Sequence, residues 1–87
     1  MKIKQGYILR EVAGNYIVVA VGEAVKNFNG IINLNDSGAF LWKLLQEGAT
    51  EEQLKESLLN EYEVDEQIAE RDIKAFINKL IEKGLLD

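Results

Sequence analysis

The sequence contains no cysteine, no histidine and no proline. Without cysteine there is no disulfide, no thiolate metal ligand and no thiol nucleophile. Without histidine, the commonest general base and the commonest metal ligand disappear together. Without proline no rigid linker divides the chain, and its 87 residues read as a single domain, 1–87. No apolar run approaches the ~20 residues that cross a bilayer. The start, Met1-Lys2-Ile3-Lys4-Gln5-Gly6, lacks the apolar stretch of a signal peptide. A soluble, cytoplasmic protein without membrane contact is expected.

The residues present are those of a folded domain: 47% are hydrophobic and 29% charged, too apolar a mixture for disorder. The net charge of −5 is unevenly placed. Residues 1–35 carry four basic and two acidic side chains, a net +2, whereas residues 36–87 carry six basic and thirteen acidic ones, a net −7. A phosphate backbone is repelled by that second part.

Two runs rich in Tyr, Ile, Leu and Val, Tyr7 to Val12 and Tyr16 to Val21, flank Ala13-Gly14-Asn15. They predict an antiparallel hairpin, with Gly14-Asn15 supplying the residues that tolerate positive φ in a tight turn. The second run is almost wholly apolar and suits the middle of a sheet; the first, with Arg10 and Glu11, suits an edge. Gly22 ends the second strand. Residues 23–29 read as a loop with the Phe28 ring packed beneath it, Gly30 permits a bend, and Ile31 to Leu34 form a third strand.

Helical signals then take over. Asn35 or Asp36 is a good N-cap, followed by Ala39, Phe40, Leu41, Trp42, Leu44 and Leu45, with Gly48 at the end. Thr50-Glu51-Glu52-Gln53 fits a capping box, and Leu54, Leu58, Leu59 and Tyr62 follow at helical spacing. A third helix of about 18 residues starts near Asp65, where Ile68, Ala69, Ile73, Phe76, Ile77, Leu80 and Ile81 recur at three- and four-residue steps. Gly84 caps it, and Leu85 and Leu86 fold back onto the core. The expected fold is α+β and winged-helix-like: a three-stranded antiparallel sheet followed by three helices.

Little in this pattern supports catalysis. Ser37 and Ser57 have no base beside them, and Ser37 lies where a helix cap is needed. Glu63, Asp65 and Glu66 sit among solvent-type residues between helices, the spacing of a calcium loop is absent, and the seven glycines are scattered at turns. No catalytic residue, metal or cofactor is expected. Winged helices often bind DNA, but a recognition helix shows Arg, Lys, Asn or Gln on one face. The second helix offers mainly Glu51, Glu52 and Glu56, and the third a mixture of signs, so nucleic acid is not expected. A DNA-binding or protein-scaffold regulator is the alternative function.

Peptide capture remains. With strand two central, strand three is the second edge. It carries no charge between Gly30 and Asn35, so another strand can add to it. The uncapped edge also permits a homodimer.

Several segments resemble the PqqD family: Gly6-Tyr7-Ile8-Leu9-Arg10, Phe28-Asn29-Gly30-Ile31-Ile32-Asn33-Leu34-Asn35-Asp36-Ser37-Gly38 and Leu41-Trp42. Gly48-Ala49-Thr50, Phe76-Ile77-Asn78-Lys79-Leu80 and Gly84-Leu85-Leu86 fit as well, so the likeness covers nearly the whole chain. The resemblance implies a precursor-peptide recognition element: a domain that binds the leader of a ribosomally made peptide and presents it to a modifying enzyme, often a radical SAM protein. It implies that the leader adds beside strand three and lies in the cleft with helix three. By position, this implicates Ile31, Ile32, Asn33 and Leu34 on the strand, and Arg71, Asp72, Ala75, Phe76 and Lys79 on the helix. Arg71 and Lys79 would meet leader carboxylates, and Asp72 a leader Lys or Arg. Ile32→Pro, which deletes a backbone donor, is expected to weaken leader binding. Such domains also occur fused within larger enzymes, against which the start at Met1 is expected to weigh.

Overall fold

A computed structural model describes residues 1–28 and 30–87. Asn29, assigned above to the loop and to the family pattern, lies outside the described residues. The order is β1 (Tyr7–Val12), β2 (Asn15–Ala20), a 3-10 helix (Gly22–Lys26), β3 (Ile31–Leu34), α1 (Asp36–Glu47), α2 (Glu51–Glu61) and α3 (Glu66–Glu82). The sheet is antiparallel with β2 in the centre, as the apolar character of that strand predicts.

The hairpin turns on Ala13-Gly14 rather than Gly14-Asn15, because Asn15 already pairs with Val12. Both turn residues have positive φ, 53° at Ala13 and 82° at Gly14, the handedness that two-residue hairpins require. The register explains the choice. It sets Leu9 opposite Val18, which is fully buried. A turn one residue later would shift the pairing by two and set Glu11 there instead. The segment read as a loop after β2 contains the 3-10 helix, whose Ala24 is buried. Phe28 packs edge-on to Tyr7, with ring centroids 5.9 Å apart.

One face of the sheet carries Tyr7, Leu9, Val18 and Ile32 into a core shared with Leu41, Trp42, Leu45, Leu54, Leu58, Ala69, Ile73, Ile77 and Leu80. Trp42 is the largest fully buried side chain, and its indole N–H finds no acceptor among the described residues. The helix signals read from the sequence are present. The Asn35 side chain caps α1, Thr50 and Gln53 form a reciprocal capping box with bonds of 2.9 and 3.1 Å, and Asp65 caps α3. Gly84 N–H donates to the Ile81 carbonyl and Leu85 N–H to that of Leu80. This is the paired C-terminal closure of a Schellman motif, and it turns Leu85 into the core.

Two residues of the predicted α3 stripe lie outside the core. Ile68 and Ile81 are 43% and 58% exposed, because a helix turning about 100° per residue puts them on opposite flanks of the line through Ala69, Ile73, Ile77 and Leu80. Lys55 fastens α2 to α3. Its ammonium donates to Glu66 Oε1 at 2.9 Å and Glu70 Oε1 at 3.0 Å, with a side chain only 20% exposed. Those two bonds hold the Lys55 ammonium above its usual range and the Glu70 carboxyl below its own.

The two ends of the chain meet. Ile3 bridges Leu86, Lys4 N–H donates to the Leu85 carbonyl, and Asp87 N–H to that of Lys2. Ile3 is thereby buried, although nothing in the sequence near it marks a core position.

Candidate functional site

The site begins with a strand edge. Among the described residues nothing pairs with β3 on the side away from β2. Which backbone groups face that edge follows from the ladder. Val21 N–H donates to the Gly6 carbonyl at 2.8 Å, one step beyond the Tyr7–Ala20 pair. Hydrogen-bonded pairs alternate along an antiparallel ladder, so Ile8–Val19, Arg10–Ile17 and Val12–Asn15 are the bonded pairs of β1 and β2. Tyr16 and Val18 therefore turn their N–H and C=O groups toward β3, where their partners are Leu34 and Ile32. Ile31 and Asn33 are left with backbone groups directed outward.

Side chains alternate in the same way. Ile32 is buried and Leu34 half-buried, on the helix side of the sheet, whereas Ile31 and Asn33 are exposed. Ile32 is thus a poor place to test an edge: its backbone bonds Val18 and its side chain fills the core. The expectation that Ile32→Pro acts on the edge is corrected accordingly.

Between β3 and α3 lies a groove of about 340 Å³. Asn33 and Leu34 line it from the strand, and Asp72, Ala75, Phe76 and Lys79 from α3. These six are residues that the sequence places at the site. Three others take different positions. Ile32 lies beneath the groove in the core, Ile31 sits beyond it on the outer face of the sheet, and Arg71 points off the groove face of α3. The Arg71 Nε lies 3.7 Å from Asp72 Oδ1 in an exposed pair. Ile68, Asp72, Ala75 and Lys79 follow one another at steps of four, three and four, so the exposed Ile68 continues the groove face by one turn.

The start of α1 supplies a wall that the sequence pattern assigns to capping alone. Asn35, Ser37, Gly38 and Leu41 line the groove, with Leu58 from α2 at its base. Asn35 Oδ1 accepts from Gly38 N–H at 2.8 Å and from Ser37 Oγ at 3.1 Å, which ties the cap to the groove rim. Gly38 is closely approached, since a Cβ there would stand 3.0 Å from Asn35 Oδ1 and 3.4 Å from Leu34 Cβ and would press on the capping oxygen. The Asn-Asp-Ser-Gly run therefore shapes the groove as well as starting a helix. The groove joins an apolar base of Leu34, Leu41, Leu58 and Phe76 to a polar rim of Asn35, Asp72 and Lys79 beside the Asn33 edge, a combination suited to an extended peptide.

No helix among the described residues is long and apolar enough to cross a membrane. A family model described as "Coenzyme PQQ synthesis protein D (PqqD)" matches residues 8–86. Two solved structures share the fold. One is described as TbiB1 in complex with the TbiA(beta) leader peptide; it is 26% identical, with a TM-score of 0.78 over 100% of this chain and 95% of that one. The other is described as lasso peptide synthetase B1 complexed with the leader peptide; it is 25% identical, with a TM-score of 0.74 over 97% of this chain and 93% of that one. A comparison with curated proteins returns no match. With the family model spanning all but the first seven residues and the last, the chain belongs to the PqqD family.

Proposed function

We propose that this domain binds the leader of a ribosomally synthesised precursor peptide by strand addition at β3 and presents it to a modifying enzyme, such as a radical SAM protein. The observation that carries the proposal is the uncharged edge at Ile31 and Asn33 beside the groove of about 340 Å³. The two solved relatives, each bound to a leader peptide, support it.

Affinity comes from two sources. The outward N–H and C=O groups of Ile31 and Asn33 bond the backbone of the added strand, with little demand on its sequence. Alternate side chains of that strand enter the groove, where buried apolar area contributes about 25 cal/mol per Å². Lys79 and Asp72 offer one charge of each sign at the rim, and exposed pairs of this kind contribute about 0.2–1 kcal/mol. The domain acts as a binding module, and the chemistry belongs to its partner.

A titration tests this. Isotope-labelled protein is titrated with the leader of a precursor peptide encoded beside its gene, and backbone amide shifts are followed. Perturbations confined to β3, the start of α1 and the groove face of α3 are expected. Shifts elsewhere, or none, overturn the proposal.

A further inference from the structure

On the face of the sheet turned away from the helices, one row is apolar where a solvated sheet face is normally polar, beside a row of Arg10, Ile17 and Asn33. Ile8, Val19 and Ile31 are direct cross-strand neighbours and form one row across all three strands. Ile8 and Val19 are half-buried by their surroundings, whereas Ile31, at the end of the row, is 60% exposed. Edge strands are ordinarily blunted by Lys, Pro or a bulge. This one instead ends in a bare isoleucine whose backbone groups also point outward.

We infer that Ile31 is a specificity residue and that the bound strand is read on both of its faces. The inference rests on strand addition at β3. A strand added there continues the sheet, so its side chains alternate between the groove and the outer face. The outward side chain beside Ile31 becomes the fourth member of the Ile8–Val19–Ile31 row. Cross-strand neighbours on one face lie about 4.5–5.5 Å apart between Cβ atoms, and β-branched and aromatic residues pair best there. The ligand is therefore a peptide with Val, Ile, Tyr or Phe at the outward position as well as apolar residues at the groove positions. The row is covered by this peptide rather than by a second copy of the chain, because the groove of about 340 Å³ runs beside the same edge and receives the alternate side chains of a single added strand.

Selection from a displayed library of random dodecapeptides tests this. The library is panned separately against the wild type, Ile31→Lys and Ile31→Glu, with Phe76→Ala identifying which alternate positions face the groove. Wild-type pools should be apolar at both sets of positions. The Ile31→Lys pool should gain Asp or Glu, and the Ile31→Glu pool Lys or Arg, at the outward position only. For a single selected peptide, replacing the outward residue by Ser should weaken binding to wild type by up to about fivefold. Outward positions that ignore both charges overturn the inference while leaving strand addition intact. No enrichment on wild type, or enrichment unaffected by Asn33→Pro, overturns strand addition itself. Sedimentation of the free protein gives a further check. A wild-type dimer made monomeric by Ile31→Lys, with unchanged pools, would assign the row to a second copy and also overturn the inference.

Discussion

Ile32 stands opposite Val18 in the middle of the sheet, with both side chains in the core, while its neighbour Asn33 turns its backbone to the open edge. Adjacent residues of one short strand thus differ in what a proline would do. Asn33→Pro removes an outward donor and leaves the ladder to β2 intact, a placement that edge strands tolerate. It should fold, by circular dichroism, and lose at least tenfold in leader affinity by fluorescence anisotropy. Ile32→Pro removes an internal bond and core packing together and should not fold. A folded Asn33→Pro with unchanged affinity would remove the edge from the mechanism.

Groove variants should separate volume from charge. Ala75 is an exposed groove residue on α3, so Ala75→Trp fills the space without disturbing the core and should abolish measurable leader binding at an unchanged melting temperature. Lys79→Gln and Asp72→Asn remove rim charges only. Each should weaken or improve binding by no more than about fivefold, and less in high salt. An effect of Lys79→Gln larger than that of Ala75→Trp would make the site electrostatic rather than apolar.

The Lys55 clip predicts a pH dependence whose sign is fixed. Glu70 is held below its usual range by the Lys55 hydrogen bond, so around and below about pH 4.3, the ordinary glutamate value, the unfolded chain binds more protons than the folded one. Stability from this bond is therefore complete above that value and is lost as the pH falls through the folded value. Urea unfolding of Lys55→Gln against the wild type should show a difference at pH 7 that shrinks by pH 3. A difference independent of pH would assign the effect of Lys55 to its packed stem.

The hairpin offers a stabilising change. Ala13 is the one non-glycine residue with positive φ among the described residues, and Asn-Gly is the favoured pair for such a turn. Ala13→Asn should raise stability by up to about 1 kcal/mol, since Asn tolerates the left-handed conformation that costs Ala roughly 1–2 kcal/mol, read as a higher urea midpoint with an unchanged slope. A drop in stability would mean that the Ala13 side chain makes a contact worth more than the relieved strain.

Much of this architecture is legible in local chemistry. The central strand, the capping box at Thr50 and the closure at Gly84 each follow from a few neighbouring residues, and each is present. What the sequence hides is decided by distant partners. The turn sits on Ala13-Gly14 because Leu9 must meet Val18. Ile3 is buried because Leu86 arrives from the far end of the chain. The family resemblance implicates Arg71 in the cleft, whereas the residues of α3 that line the groove are Asp72, Ala75, Phe76 and Lys79. The wall contributed by Asn35, Ser37 and Gly38 is concealed for another reason: one set of residues both caps a helix and lines a groove, and the capping signal is the stronger.

The bridge between Ile3 and Leu86 also bears on the order of folding. The β1–β2 hairpin closes over two residues, and the side-chain helix caps act over two or three, so their loop entropy is small. The bridge closes almost the whole chain, and that entropy rises with loop length. It gains its reward only after sheet and helices have brought the ends close. The clasp is accordingly the last element to lock in folding and the first to open, and amide exchange at Lys4 and Asp87, whose N–H groups form it, should run ahead of exchange at Val18 and Leu80.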